Sequence, residues 1–384
     1  MRTTDGNNHL RQIAEGSMLS SRRRIMDFLA ASGLPRQIQR LVDWFRFGDI
    51  SLGRYLLFSL AARIPASLFS RGYDFMDHQF QYVDPAYHLG LGGSWWRPHE
   101  YEHGLRSWIY PGLLAGIFRA LAWLGIEAPV PMMVATRFVH ALMGLLPLLA
   151  LWMLFVRFRR LDGARPLLLF VAASPLTVYA SVQPTGPTFA TGLSLAAILL
   201  FEGPGRLSPF ISGLLLGGAF CCRFQDAFFF PVLLAAGLLL RRYKASALMA
   251  TGAAIVVTIQ GLVDLWTWGS FLASPFRYVR WNVFEGAARR YGEEPLWFYL
   301  PLLALVLVLL PPFVRSGLRA LAVGIRTFPL LFAASSFYLF LHSLVARKAF
   351  RFILPSLILL VVVCAFGLFQ TSGTESRIRM AHRR

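Results

Sequence analysis

The sequence predicts an all-α polytopic membrane protein, and three observations carry that reading. The 384 residues are 56% apolar and only 15% charged, with a mean hydropathy of +0.54, whereas a soluble domain carries about 25% charged residues. Apolar runs recur from residue 52 to residue 369, several near the roughly 20 residues that a helix needs to cross a bilayer. The basic residues gather in short loops between those runs, as the positive-inside rule requires.

The elements follow in order. Residues 1–51 read as a basic cytoplasmic arm, with no signal-peptide pattern ahead of the first span. Within it, "SRRRIM" at 21–26 suits anionic headgroups, and "QIQRLVDWFRFG" at 37–48 has the pattern of an amphipathic helix lying on the membrane. Spans are predicted at about 52–70, 131–156, 165–182, 188–203 and 208–222, then at 227–240, 245–265, 296–314, 327–345 and 351–370. Residues 371–384 form a cytoplasmic tail. The stretch 109–125, "IYPGLLAGIFRALAWLG", decides whether the count is ten or eleven, because it is short and holds Arg119 in its middle.

Charge parity argues for ten. The Arg-rich segments 157–165, 241–244, 315–326 and 377–384 all fall on the cytoplasmic side, with the basic N-terminus, only if 109–125 does not cross. That stretch then reads as an interfacial or re-entrant helix. The same parity puts 71–108, the link near 183–187, 266–295 and 346–351 on the outer face, with Arg223 and Asp226 at its edge.

A net charge of +19 raises nucleic acid as a partner. The placement of the arginines assigns the charge to orientation in the membrane instead, so lipids and no nucleic acid are expected. Cys221, Cys222 and Cys364 lie in apolar runs without the spacing of a zinc site or a disulfide framework.

The first outer loop, 71–108, concentrates chemistry. It holds Asp74, Asp77, Asp84, Glu100 and Glu102, with Arg71, Arg97 and Arg106 and four histidines. A carboxylate there can take the proton of a sugar hydroxyl as it attacks an activated carbon. Asp77 and Asp84 are seven residues apart, two α-turns on one face. Nearby Arg and His can hold a leaving phosphate. His99 and His103, four apart, are the only spacing that hints at a metal, and no third ligand accompanies them. No metal or cofactor is therefore expected.

"MDHQFQYVDPAYHLGLGG", "WW" and "GLRSWIYP" together resemble the first luminal loop of glycosyltransferase family 22. That family holds the GPI mannosyltransferases and the lipid-linked-oligosaccharide α-mannosyltransferases. Asp77, Gln81, Asp84, His88, Arg106, Ser107, Tyr110 and Pro111 fall on its pattern, and His78 stands where the family has Glu. Three later segments match in order: "DLWTWGSFLASPFRYVRWN" (264–282), "YGEEPLWFY" (291–299) and "ARKAFRFILP" (346–355). Ala349 replaces a second acid and Arg347 a histidine.

The resemblance implies a GT-C fold and an inverting transfer of mannose. The donor would be a polyprenyl (dolichyl) phosphate mannose and the acceptor a lipid-linked glycan. The site would face the periplasm of a bacterium or the lumen of the ER. By the same resemblance Asp77 is the general base and Asp84 assists it. Arg351 and Lys348, with Arg223, hold the donor phosphate. His78, Gln81, His88, Arg106, Trp297, Tyr299 and Asn282 contact substrate. Residue chemistry alone leaves other readings open: a GT-C enzyme for another polyprenyl-phosphate sugar, a lipid or sugar transporter or flippase, or a subunit with a decayed site. A transporter would carry its polar groups at mid-bilayer in repeated, broken helices. Here they gather at one face and no repeat is visible.

Overall fold

The computed structural model describes residues 51–72, 78–158, 164–203, 205–308 and 314–381. The chain divides into two units, Met1–Ile50 and Ser51–Arg384. The basic arm and its amphipathic stretch at 37–48 lie outside the described residues.

Every apolar run becomes helix, and no strand occurs among the described residues. Helix α1 (Leu52–Phe69) opens the unit, and α2 (Asp84–Leu91) follows a π-helical turn at Gln79–Val83. Next come α3 (Ile109–Trp123), α4 (Pro129–Met143), α5 (Leu146–Phe158), α6 (Ala164–Ala173) and α7 (Pro175–Val182). The middle of the chain forms α8 (Gly186–Phe201), α9 (Ser208–Cys222), α10 (Phe229–Leu239) and α11 (Tyr243–Trp268). A short α12 (Ala273–Val279) precedes α13 (Tyr299–Val308), α14 (Val314–Thr327), α15 (Pro329–Leu344) and α16 (Leu354–Ala381).

By length and composition, three stretches among the described residues can each cross a bilayer: Pro129–Phe155, Tyr243–Trp268 and Phe350–Leu368. The number rises to five if two bent pairs each count as one span. The predicted span 165–182 is broken at Ser174, and the reason is local. Ser174 accepts from the Thr177 amide and Pro175 follows it, so α7 has a start signal of its own. Thr185 does the same for α8 with Thr188 and Pro187, and the chain bends by 119° between α7 and α8.

Helix α8 is the centre of the unit and is buried on nearly every side, as a helix that is apolar all round must be. Helices α9 and α11 pack backbone to backbone. A side chain at Gly213 would meet the Met249 carbonyl oxygen at 2.0 Å, the small-residue contact that membrane helices use in place of a hydrophobic drive. Arg63 on α1 is 1% exposed. Its Nε donates to the Ser181 hydroxyl at 2.8 Å, and its guanidinium also reaches Ser59 and the Ala172 carbonyl, so α1, α6 and α7 are tied through one cation.

Candidate active site

Three of the four segments that charge parity assigns to one face, 71–108, 266–295 and 346–351, are bonded into one group, and the turn after α9 joins them. The Ser107 hydroxyl donates to Gln260 Oε1 at 2.6 Å, and Trp268 Nε1 donates to the Arg106 carbonyl at 3.2 Å. Those contacts join the first loop to the end of α11. The Gln225 amide donates to the Tyr278 hydroxyl, joining the turn after α9 to α12. Lys348 Nζ donates to the carbonyls of Glu294 and Val345 at 2.7 and 2.8 Å. Arg223 Nη2 donates to the Phe352 carbonyl at 2.7 Å.

Between the first loop, the turn after α9 and α12 there is a cleft lined by Tyr82, Arg106, Tyr110, Arg223, Gln225 and Tyr278 among others. Tyr82 comes from the π-turn, Arg106 from the loop before α3, Arg223 from the end of α9, and Tyr278 from α12. The Tyr82 hydroxyl lies in the field of Arg106, Arg223 and Arg351 together. The Arg106 guanidinium sits over the Tyr278 ring at 5.7 Å and 3.8 Å from the Glu100 carboxylate. Burial works against its charge, but Tyr82, Glu100 and Tyr278 outweigh that and raise its pKa. It therefore stays a cation.

The first loop is held by its own polar side chains. Gln81 Nε2 donates to Glu100 at 2.6 Å, and the Tyr101 hydroxyl donates to the Gln81 carbonyl at 2.8 Å. Asp84 stands at the start of α2, half-buried, and accepts from the Gln79 amide. Burial lifts its carboxyl above the ordinary aspartate range, and the Gln79 hydrogen bond pulls it part of the way back. Behind α2, helix α3 comes so close that a side chain at Gly90 would meet the Ala115 carbonyl oxygen at 2.8 Å.

The predicted site residues sort as follows. Asp77 lies outside the described residues. The turn at 79–83 is π-helical, so the spacing argument that set Asp77 and Asp84 two α-turns apart does not hold across it: a π-turn advances the chain by more residues than an α-turn. His78 is buried, and His88 stacks on Trp95 at 5.6 Å. Arg106 and Arg223 line the cleft. Arg351 lies over the Phe352 ring at 5.4 Å. Lys348 is 4% exposed, and two of its three donors are taken by carbonyls. Tyr299 is buried and shares its hydroxyl with the Ala349 backbone. Trp297 is 61% exposed. Asn282 donates to the Tyr278 carbonyl at 3.0 Å. His99 and His103 stack at 4.0 Å beside Trp281. Among the described residues no three His, Cys, Asp or Glu side chains come together as a metal site needs.

Sequence reasoning misses Tyr82, Gln225, Tyr278 and Gln260 as parts of this region. It lists Glu100 among the first-loop acids but not its pairing with Arg106 and Gln81. The tyrosines and glutamines carry no spacing signal. Asp226 was noted only as an edge residue, although it lies at i+3 from Arg223 and pairs with it at 3.9 Å.

An all-helical membrane domain whose connecting segments gather arginines and carboxylates at one end is built like a GT-C glycosyltransferase. The fold matches that of ArnT from Cupriavidus metallidurans, solved bound to undecaprenyl phosphate, with a TM-score of 0.61 at 16% identity over 83% of this chain and 60% of that one. The chain belongs to the Alg9-like mannosyltransferase family, which it matches over residues 55–383. It is 25% identical to GPI mannosyltransferase 3 of Drosophila melanogaster, over 82% of this chain and 56% of the relative. It is 22% identical to human GPI alpha-1,2-mannosyltransferase 3, over 82% and 57%. A Schizosaccharomyces pombe protein named for Dol-P-Man:Man(7)GlcNAc(2)-PP-Dol alpha-1,6-mannosyltransferase activity is 28% identical over 52% of this chain and 36% of its own length. The chain thus spans little more than half the length of the first two relatives.

Proposed function

We propose that this chain is an inverting mannosyltransferase that moves mannose from a polyprenyl phosphate mannose to a lipid-linked glycan at the outer face of a membrane. The observation that carries the reading is the cleft walled by Arg106 and Arg223 beside Tyr82, with the charge of Arg351 also felt at the Tyr82 hydroxyl. Charge of that kind stabilises a phosphate that becomes more negative as it leaves. Family membership supports mannose, and the names of the relatives support a lipid-linked acceptor.

In this reading the acceptor hydroxyl attacks C1 of the donor sugar and the C1–O bond to phosphate breaks. The hydroxyl proton passes to a first-loop carboxylate, and the polyprenyl phosphate leaves as an anion held by arginine. The resemblance assigns the base to Asp77, and the raised carboxyl of Asp84 suits an assisting role. Lys348 braces the segment beside Arg351 instead of facing the phosphate alone. No metal takes part. Residues 1–51 and 371–384 are cytoplasmic, and the membrane is a bacterial inner membrane or the ER.

Purified protein should transfer radiolabelled mannose from a synthetic polyprenyl phosphate mannose to extracted lipid acceptors, with inversion at C1. Transfer from a polyprenyl phosphate glucose or arabinose in its place would keep the fold's chemistry and overturn the sugar.

A further inference from the structure

A buried carboxylate that the reaction itself does not use, Asp226, lies behind the cleft. The Asp226 carboxylate is 0% exposed. Its Oδ2 accepts from the Ser194 hydroxyl of α8 at 2.7 Å, and its Oδ1 accepts from the Tyr338 hydroxyl of α15 at 2.9 Å. Oδ1 also faces Arg223 Nε at 3.9 Å. The other end of Arg223 reaches forward, donating to the Phe352 carbonyl at 2.7 Å and to the Arg351 carbonyl at 3.5 Å. Its Nη2 also lies 3.4 Å from His342 Nε2. Both carbonyls belong to the single 3₁₀ turn, Phe350–Ile353, that leads into α16.

A buried carboxylate is costly unless it is paired and hydrogen-bonded, and this one is bonded on both oxygens. The geometry connects the centre of the unit to the backbone from which Arg351 projects. We propose that Asp226 is a positioning residue for sugar transfer: through Arg223 it fixes the 3₁₀ turn at 350–353 and so sets where the Arg351 guanidinium meets the donor phosphate. This rests on the donor reading given above. Arg223 is thereby a clamp as well as part of the cleft wall.

The test compares purified full-length wild type, Asp226→Asn and Ser194→Ala in lipid nanodiscs. Asparagine keeps the shape and can still accept from Tyr338 but removes the charge facing Arg223. Ser194→Ala removes one hydrogen bond only and guards against misfolding of the first variant. Hydrogen–deuterium exchange of the peptide over 349–354 should rise in Asp226→Asn and less in Ser194→Ala. The donor KM should rise and kcat fall in the same order, with kcat/KM for donor down on the order of 10- to 100-fold in Asp226→Asn, and the acceptor KM unchanged. Arg223→Lys should raise exchange over 349–354 at least as far as Asp226→Asn, and the double variant should raise it no further, because both act on that turn through the same carbonyls. A merely structural role would lower the melting temperature and leave these kinetics intact. Unchanged exchange at 349–354, or unchanged donor kinetics in folded variants of an active wild type, overturns the positioning role alone. A wild type that transfers nothing from any polyprenyl-phosphate sugar overturns the donor reading, and the inference with it.

Discussion

The Ser107 hydroxyl donates to Gln260 Oε1 at 2.6 Å across 153 residues of sequence. Gln260 in turn donates to Asp264, whose carboxylate accepts from the amide and hydroxyl of Ser274 at 2.8 and 2.7 Å. One buried chain of bonds thus fixes the first loop, the end of α11 and the start of α12 together. Arg106 and Tyr278 face each other because of it.

Gln260→Leu should therefore destabilise the protein by about 1–3 kcal/mol, since it leaves the Ser107 hydroxyl and Asp264 short of partners in a dry site. Thermal unfolding in detergent is the check. An unchanged melting temperature would mean that water replaces the lost amide.

Arg106→Ala should raise the donor KM by about 10- to 100-fold, the range expected when a charge-assisted bond worth roughly 1.5–3 kcal/mol is lost. Its melting temperature should stay close to wild type, because its carbonyl bond to Trp268 is main-chain. Lys348→Met should do the reverse. It strands the carbonyls of Glu294 and Val345, so stability falls while the donor KM moves little. Steady-state kinetics and melting curves on both variants separate binding from bracing.

Asp84 sets a pH dependence. Its carboxyl is raised by burial and lowered in part by Gln79, so the ionised form is less favoured in the folded protein than in the unfolded chain. Stability is then lost as pH climbs from the ordinary aspartate range through the raised value. Asp84→Asn should be as stable as wild type or more so at neutral pH, yet less active. Gln79→Leu removes the bond that favours the charge, so the acid limb of kcat/KM should shift to higher pH. A limb that stays in place would remove Asp84 from the rate.

Much of this fold was legible, because apolar runs bounded by arginines leave helices little choice. Each predicted span contains helix, and 109–125 forms the single helix α3. The charge argument grouped 71–108, 266–295 and 346–351, and the hydrogen bonds do bring those three segments together. The break at Ser174-Pro175 was readable as a capping signal but was hidden inside an apolar run. Arg63 could not be read, since an arginine in such a run ordinarily snorkels to the headgroups, and Ser181 and Ala172, which hold it, lie more than a hundred residues away. The site was half legible. Asp84, Arg106, Arg223 and Arg351 were marked by charge, whereas Tyr82, Tyr278 and Gln260 act through tertiary contacts that no spacing announces. Lys348 carried the right charge, but its neighbours in space are carbonyls.

Chelation should leave transfer unaffected, because the proposed chemistry uses arginine where a metal would otherwise balance phosphate charge. Loss of activity in EDTA, restored by a divalent cation, would call for a ligand set that includes residues beyond those described.

The most direct test of the central claim is the initial rate of mannose transfer from a synthetic polyprenyl phosphate mannose, for wild type, Asp77→Asn and Arg106→Ala in the same nanodiscs. The account predicts transfer by wild type, none above background for a folded Asp77→Asn, and a raised donor KM for Arg106→Ala. Equal rates in all three, or transfer from a nucleotide sugar and not from the lipid-borne one, would contradict it.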